Sequence, residues 1–284
     1  MLSAPLPVLR RPDGVLQLGL EAPAGLMLGR LPAAAEAVLD ALAEPCDPAD
    51  LERLAGPSSE RWLPGLLETL RRAGLLRRPT VVSGGVAVIG SGRLALLVTR
   101  LLLHTVAGPV RVVWPGAAAP PSALDRLRRR HPDRIRFSDH LGREHRAEPG
   151  LVLVCARSPE ADRSLLRGLD ERPHLVVAAG DLGASVGPLV IPGRTACLRC
   201  EDLHRTARDP AWPELLLQLG RRRGTDAAPA ELHWAASTAA LQAASWLAGG
   251  QPDTLGVTLV LDAQRTLRAR RLRAHPGCGC GAAG

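Results

Sequence analysis

Val86-Ala-Val-Ile-Gly90-Ser-Gly92-Arg-Leu-Ala95 is the stretch that decides the fold. Four apolar residues run straight into Gly90-x-Gly92-x-x-Ala95, and Leu94 to Ala107 continues as an apolar helix. A short buried strand, a glycine turn and a helix in that order open a βαβ unit. The glycines permit the tight turn, and the helix N-terminus is a ready place for a phosphate. Val110 to Trp114 reads as the next strand, with later strands at Leu151 to Cys155 and Leu175 to Ala179 and a helix between them from Glu160 to Leu169. This alternation predicts an α/β protein with a Rossmann-like, doubly wound, mainly parallel sheet. Ala230 to Ala248 is expected as a helix, and Gly256 to Asp262 with Thr266 to Leu272 as a terminal hairpin.

The glycine turn lacks its usual companion. Where an acidic residue would hold a ribose hydroxyl after the second strand, Val110-Arg-Val-Val-Trp-Pro115 supplies tryptophan and proline. Two readings stand at this point: a nucleotide site, or glycines required because strand and helix pack closely.

Four cysteines form two pairs far apart in the chain, Cys197 and Cys200 in Thr195-Ala-Cys-Leu-Arg-Cys200, and Cys278 and Cys280 in His275-Pro-Gly-Cys-Gly-Cys280. Together they suit one tetrahedral structural zinc, which leaves no open position for a water or a substrate. Two disulfides or four unlinked thiols are the alternatives. Met1-Leu-Ser-Ala-Pro-Leu-Pro lacks the basic start and apolar run of a signal peptide. The expected compartment is therefore the reducing cytoplasm, where paired cysteines hold metal more often than they oxidise. Cys278-Gly-Cys280 is one residue tighter than the usual spacing. Cys46 and Cys155 have no such partners and are expected as buried small hydrophobes.

Residues 1–78 read as a separate unit. Val8 to Arg11 and Val15 to Gly19 flank the Pro12-Asp13-Gly14 turn as strands, and Gly25 to Leu28 is a third. Helices are expected at Pro32 to Ala43, at Pro48 to Ala55 after an Asp47 cap, and at Glu60 to Ala73 after a Ser59 cap. In the last, Leu63, Leu66, Leu67 and Leu70 make a core-facing stripe. The pattern predicts a small winged helix-turn-helix. Arg77-Arg78-Pro79-Thr80 then serves as a linker to a second domain over 79–284.

No apolar run approaches a membrane span; Thr99 and Arg100 interrupt the longest, Leu94 to Leu103. The formal charge is +8 and every basic residue other than histidine is arginine, since the chain contains no Lys; Asn and Tyr are absent too. That composition fits coding bias in a GC-rich genome, so the charge says little about partners, although it is compatible with an acidic peptide or with nucleic acid.

With the glycine loop, the Cys-x-x-Cys pair and Gly187-Pro-Leu-Val-Ile-Pro-Gly193 leading into it, the chain resembles the ubiquitin-activating-enzyme-like family typified by ThiF and MoeB, over about residues 80 to 284. Family members that adenylate a carboxylate carry a second glycine pair, an Asp after the second strand, an Arg and a Lys for the triphosphate, and a later Asp. Here Arg93 and Leu94 replace the glycines, Cys155-Ala-Arg-Ser-Pro159 stands where the later Asp is expected, and there is no Lys anywhere. Arginine mimics its charge but not its compact geometry. The resemblance thus implies that ATP-dependent adenylation is lost.

A degenerate domain of this type behind a winged helix is similar to the ocin-ThiF-like partner proteins of azoline-forming cyclodehydratases in thiazole/oxazole peptide and thiopeptide pathways. The segment from Cys197 to Pro213 adds to this likeness. The resemblance implies a non-catalytic adaptor whose winged helix is a recognition element for the leader of a ribosomal precursor peptide, and whose zinc-bearing domain engages a YcaO-type cyclodehydratase that uses ATP. An extended leader would add a strand beside Gly25, Leu26, Met27 and Leu28, with Trp62, Leu66 and Thr69 lining a groove and Arg61, Arg71 and Arg72 meeting acidic residues. For each of these the alternative is plain core or a solvated face.

The alternative activity is a working adenylyltransferase of the ThiF/MoeB type, acting on a peptide or carrier carboxylate. A DNA-reading winged helix is a third reading, disfavoured because the third helix carries its arginines at its ends and not in a base-reading row. Asp202, His204 and Asp209 follow the metal cysteines without a free nucleophile, so that loop is expected to serve docking or dimer contact, with Trp212 as an anchor. Arg128 to Arg130 and Arg221 to Arg223 are expected as solvated charge. Relatives of this fold dimerise, which makes a homodimer an expectation.

Overall fold

The computed structural model describes residues 6–20, 25–42, 46–76, 84–114, 122–141, 150–156, 160–166, 168–180, 183–221 and 227–282. The expected linker at 77–80 lies outside them. The chain divides into two compact units, Met1–Val81 and Val82–Gly284, and no described helix is long and apolar enough to cross a membrane.

In the first unit, β1 (Val8–Arg10), β2 (Leu16–Leu18) and β3 (Leu26–Gly29) make an antiparallel sheet in that order. Gly14 turns the β1–β2 connection at φ +81°, in the left-handed region that glycine tolerates, and Asp13 accepts the Val15 N–H at 3.1 Å. Three helices follow: α1 (Ala34–Ala41), α2 (Pro48–Ala55) and α3 (Leu63–Arg72). Asp47 caps α2 as expected, accepting the Ala49 N–H at 2.9 Å. The start of α3 departs from expectation. Pro64 sits in its first turn, where a missing N–H is harmless, so Ser59–Arg61 forms a separate 3-10 turn and Ser59 caps nothing. The stripe works: Leu63, Leu66 and Leu70 are buried with Leu16, Leu18, Val38 and Leu39.

Leu70 is fully buried. Leu70→Ala should therefore destabilise this unit by about 2–5 kcal/mol, the range for a leucine cavity that only partly collapses. Faster hydrogen exchange at the β1–β3 amides is the measurement.

The second unit carries an eight-stranded sheet in the order β11-β10-β9-β8-β7-β4-β5-β6. Its parallel half is β4 (Val86–Ile89), β5 (Val110–Val113), β6 (Ile135–Ser138), β7 (Leu151–Ala156) and β8 (His174–Gly180). The strand order 6-5-4-7-8 is that of a Rossmann half-sheet, with β4 at the switch point. β9 (Gly183–Val190), β10 (Val257–Asp262) and β11 (Leu267–Arg271) extend it antiparallel, the last two as the expected hairpin.

Strands buried on both faces read as continuous apolar runs, which is why β4 and β7 were legible. On one face Val86, Val88, Leu151, Leu153, Leu175 and Val177 pack under α4 (Arg93–Thr105) and α8 (Pro229–Leu247). On the other, Ala87, Ile89, Val152 and Val154 meet Leu169. α8 presents Ala235, Ala236, Ala239, Ala240 and Ala243 inward, and side chains this small let α4 and the sheet approach closely.

The helix expected over Glu160 to Leu169 is absent. Arg163–Leu166 forms a 3-10 turn, Asp162 accepts the Ser164 N–H, and Gly168 at φ +82° turns the chain away. β6 and β9 were not foreseen, and neither were the three helices that complete the unit: α5 (Ser122–Arg130), α6 (Leu198–Arg208) and α7 (Trp212–Arg221).

Candidate functional site

α6 begins at the first cysteine pair. Cys197 is its N-cap residue and Cys200 lies in its first turn, fully buried. The chain returns through β11 to Cys278, where a turn closed by the Cys278 N–H donating to His275 O at 2.9 Å aims the second pair inward. The tight Cys-Gly-Cys spacing works because Gly279 takes φ +71°.

The sulfurs of Cys197 and Cys278 are 3.5 Å apart, as are those of Cys200 and Cys280, with Cys197 and Cys200 at 3.9 Å. All four lie within 4.8 Å of one another. Ligands about 2.3 Å from a tetrahedral zinc are about 3.8 Å from each other, so the donor set and its geometry fit that ion. Burial raises the thiol pKa of Cys197 and Cys278. At Cys280 burial also opposes ionisation, but the Ala282 backbone N–H and the neighbouring thiols outweigh it and bring the value down to about 7. Cys155, by contrast, is pushed up to about 12 by burial and is an inert core residue, as expected; Cys46 is partly buried.

Around the thiols runs an ion-pair network that sequence reasoning missed. Arg163 grips Asp202 with two bonds of 2.8 Å, and Glu160 accepts from Arg205 at 2.6 Å. Glu201, 8% exposed, takes both Arg205 and Arg270 at 2.6 Å. This ties α6 to the 160–166 segment and to β11. Only the Glu201–Arg205 pair, four apart on a helix, was readable from spacing.

The network also reassigns the loop residues. Trp212, expected as an anchor for a partner, instead packs under the Arg205 guanidinium at 4.3 Å and donates its indole N–H to Asp202 at 3.1 Å. Asp209 accepts the Ala211 N–H and closes the turn before α7. His204 meets the His275 ring edge-on at 4.7 Å.

At the glycine loop, Gly90 has φ +145°, and a Cβ there would lie 2.5 Å from the Cys155 carbonyl oxygen. Close packing alone therefore demands this glycine. Trp114, where the ribose-binding acid would be expected, packs on the core.

In the first unit β3 is an edge strand: among the described residues it pairs only with β2. Met27 is 66% exposed there, while Gly25, Leu26 and Leu28 are half-buried. Trp62 packs partly on the core, and Thr69 and Arg61 are exposed. Leu66, expected to line a groove, is instead a core residue at 4% exposure, because it sits on the buried stripe of α3. Arg71 and Arg72 both bind Glu68, whose carboxyl they hold down at about 2. Of the arginines proposed to meet acidic residues, only Arg61 is without an ion pair among the described residues.

No protein-family model and no curated protein sequence matches the chain. Solved structures do. E. coli MccB in a structure containing AMPCPP and MccA superposes with a TM-score of 0.64 at 13% identity, covering 100% of this chain and 99% of that one. A heterocyclase in complex with substrate and cofactor gives 0.62 at 17% identity, over 99% of this chain and 39% of that one. The heterocyclase TruD gives 0.61 at 17%, over 99% and 42%. At these identities the likeness establishes the fold: the chain is built like MccB from end to end, and like about two-fifths of the heterocyclases.

Proposed function

We propose that this chain is a peptide-binding partner in the maturation of ribosomally made peptides, presenting a precursor leader to a YcaO-type cyclodehydratase. The observation that carries the reading is the span of the likeness. Both units together match MccB, solved with the peptide MccA, and match part of a heterocyclase solved with its substrate. The first unit, read as a winged-helix recognition element, supports this through the open edge of β3, which offers main-chain groups to an extended peptide. Trp62, at the head of α3, and Thr69 within it are read as the groove residues for that peptide, and Arg61, exposed and without an ion pair among the described residues, as the contact for an acidic leader residue.

The second unit is read as a ThiF/MoeB-like domain without adenylating activity. Its glycine turn is accounted for by packing, the acid after β5 is a core-packed tryptophan, and no Lys exists to hold a triphosphate. Cys197, Cys200, Cys278 and Cys280 would hold a structural zinc, which when bound supplies a cross-link and no open coordination position.

Titration of the full chain into fluorescein-labelled leaders of candidate precursor peptides tests the reading by polarisation. Binding at micromolar or tighter Kd is expected, weakened about fivefold by Arg61→Glu, a loss of about 1 kcal/mol. ATP–pyrophosphate exchange should stay at background with the leader present. No leader affinity would sink the proposal; leader-dependent exchange would establish the adenylyltransferase alternative instead.

A further inference from the structure

The second unit has an open groove of about 420 Å³ between α4 and α5, remote in sequence from the cysteines. Leu96, Leu97 and Leu127, each partly buried against the core, line it. Arg100, Arg126 and Arg130 line it as well, all three exposed. No carboxylate is among its lining residues.

The neighbouring arginines have tasks within the chain. Arg128 faces Asp125 and lies 5.4 Å over the Phe137 ring, and Arg134 donates to the carbonyls of Val106 and Gly108. The three at the groove are different. Arg126 makes one long bond of 3.3 Å to Ser122, and no acid pairs with any of them among the described residues. Three exposed guanidiniums lining one groove, unpaired among the described residues, make it a locally positive surface that favours an anionic occupant.

The chemistry narrows the occupant. A free phosphate or nucleotide would have no use for a leucine-lined groove. A second copy of this chain would bring more positive charge to a surface that already repels it, the formal net charge being +8. Two helices walling a leucine-lined trough match the mode in which an amphipathic helix lays its apolar face into a groove, and guanidiniums grip carboxylates flanking that face. We propose that the α4–α5 groove docks an acidic amphipathic helix carried by a partner polypeptide. This site is separate from β3 and stands whether or not the first unit binds a leader.

The probe is a fluorescein-labelled synthetic helix with leucines at i, i+3, i+4 and i+7 and glutamates elsewhere, titrated into the full chain. It should bind at least tenfold more tightly than a scrambled peptide of the same composition. Arg126→Glu with Arg130→Glu should weaken it at least tenfold, and leader binding should be unchanged. Because charge reversal in α5 can loosen that helix, Arg100→Glu on α4 provides an independent second variant with the same expected direction. Absence of binding, equal affinity for the scrambled peptide, or indifference to both variants would overturn the proposal. So would recruitment of the chain to phosphatidylserine vesicles that the same reversals abolish, since that would make the groove a lipid site.

Discussion

Cys200→Ser is expected to lower the melting temperature of the second unit by roughly 10 °C or more. The reasoning starts from burial. Cys200 is fully enclosed and its sulfur sits 3.5 and 3.9 Å from two others, so a metal there has no substitute ligand from water. Structural zinc contributes about 10–16 kcal/mol in peptides that have no other core. Here an independent core exists, and the share at risk is the anchorage of the tail and of the start of α6. A loss of about 4 kcal/mol corresponds to roughly 8–16 °C in a domain of this size. Elemental analysis should find one zinc per chain in the parent and little in the variant. Hydrogen exchange should rise around α6, β11 and the tail and stay unchanged in β1–β3. Chelation should act likewise. Metal binding needs deprotonated thiols, so the stabilisation is present at neutral and alkaline pH and is lost on acidification as protons displace the ion. A chelated protein with an unaltered melting temperature would remove these four residues from the list of structural ligands.

The second large effect is expected at the switch point of the sheet. Gly90→Ala should destabilise the second unit by about 3–5 kcal/mol, because strain at φ +145° adds to a clash with main chain that cannot rotate away. The obstructing atom is the Cys155 carbonyl oxygen on β7, so relief would require separating two paired strands. Gly65→Ala provides the contrast. That glycine lies in α3 with nothing within 4 Å of the added carbon, and the change should stabilise the first unit by about 0.5–1 kcal/mol. Urea melts of both variants decide the matter. If Gly90→Ala melted like the parent while abolishing nucleotide binding, the loop would be a cofactor site and the packing explanation would fail.

The legible parts of this fold are those where burial on both sides suppresses polar residues. β4 and β7 are continuous apolar runs, β5 and β8 are broken only by Arg111 and by His174 at the strand start, and α4 and α8 are long, mostly apolar helices, so each was visible in one dimension. β9 was not, because Gly183, Gly187 and Pro188 look like punctuation. Its glycines are there because the β10 backbone crosses too closely for a side chain at either position, a demand set by a strand far away in sequence. α5 was hidden for another reason: it buries only Leu124 and exposes most of its arginines, leaving little apolar periodicity to read. The segment from Glu160 to Leu169 was misread as an α-helix because its apolar residues Leu165, Leu166 and Leu169 pack on the sheet while its backbone makes only a short 3-10 turn at Arg163–Leu166.

At the site, the cysteines announced themselves by type and spacing, since few other arrangements of thiols are useful. The charged shell around them did not. Glu160, Arg163 and Arg270 meet α6 only through tertiary structure, and each taken alone is an ordinary surface residue. Leu66 shows the opposite failure: its place on the buried stripe was readable, yet a role in peptide binding drew it outward. Trp212 likewise had the character of an interface anchor and spends its ring and its N–H inside the chain.

The distance between the two cysteine pairs has a consequence for how this protein is made. Cys200 leaves the ribosome 80 residues ahead of Cys280, and β9 emerges well before β10, the strand against which it lies. For that interval the second unit is an open half-sheet with two unpartnered thiols at the head of a helix. The first unit, encoded earlier and holding its own core, can close at once. Assembly of the second is therefore a late event, and under the proposed zinc site the supply of metal ion at that moment would decide whether nascent chains mature or expose their thiols to oxidation.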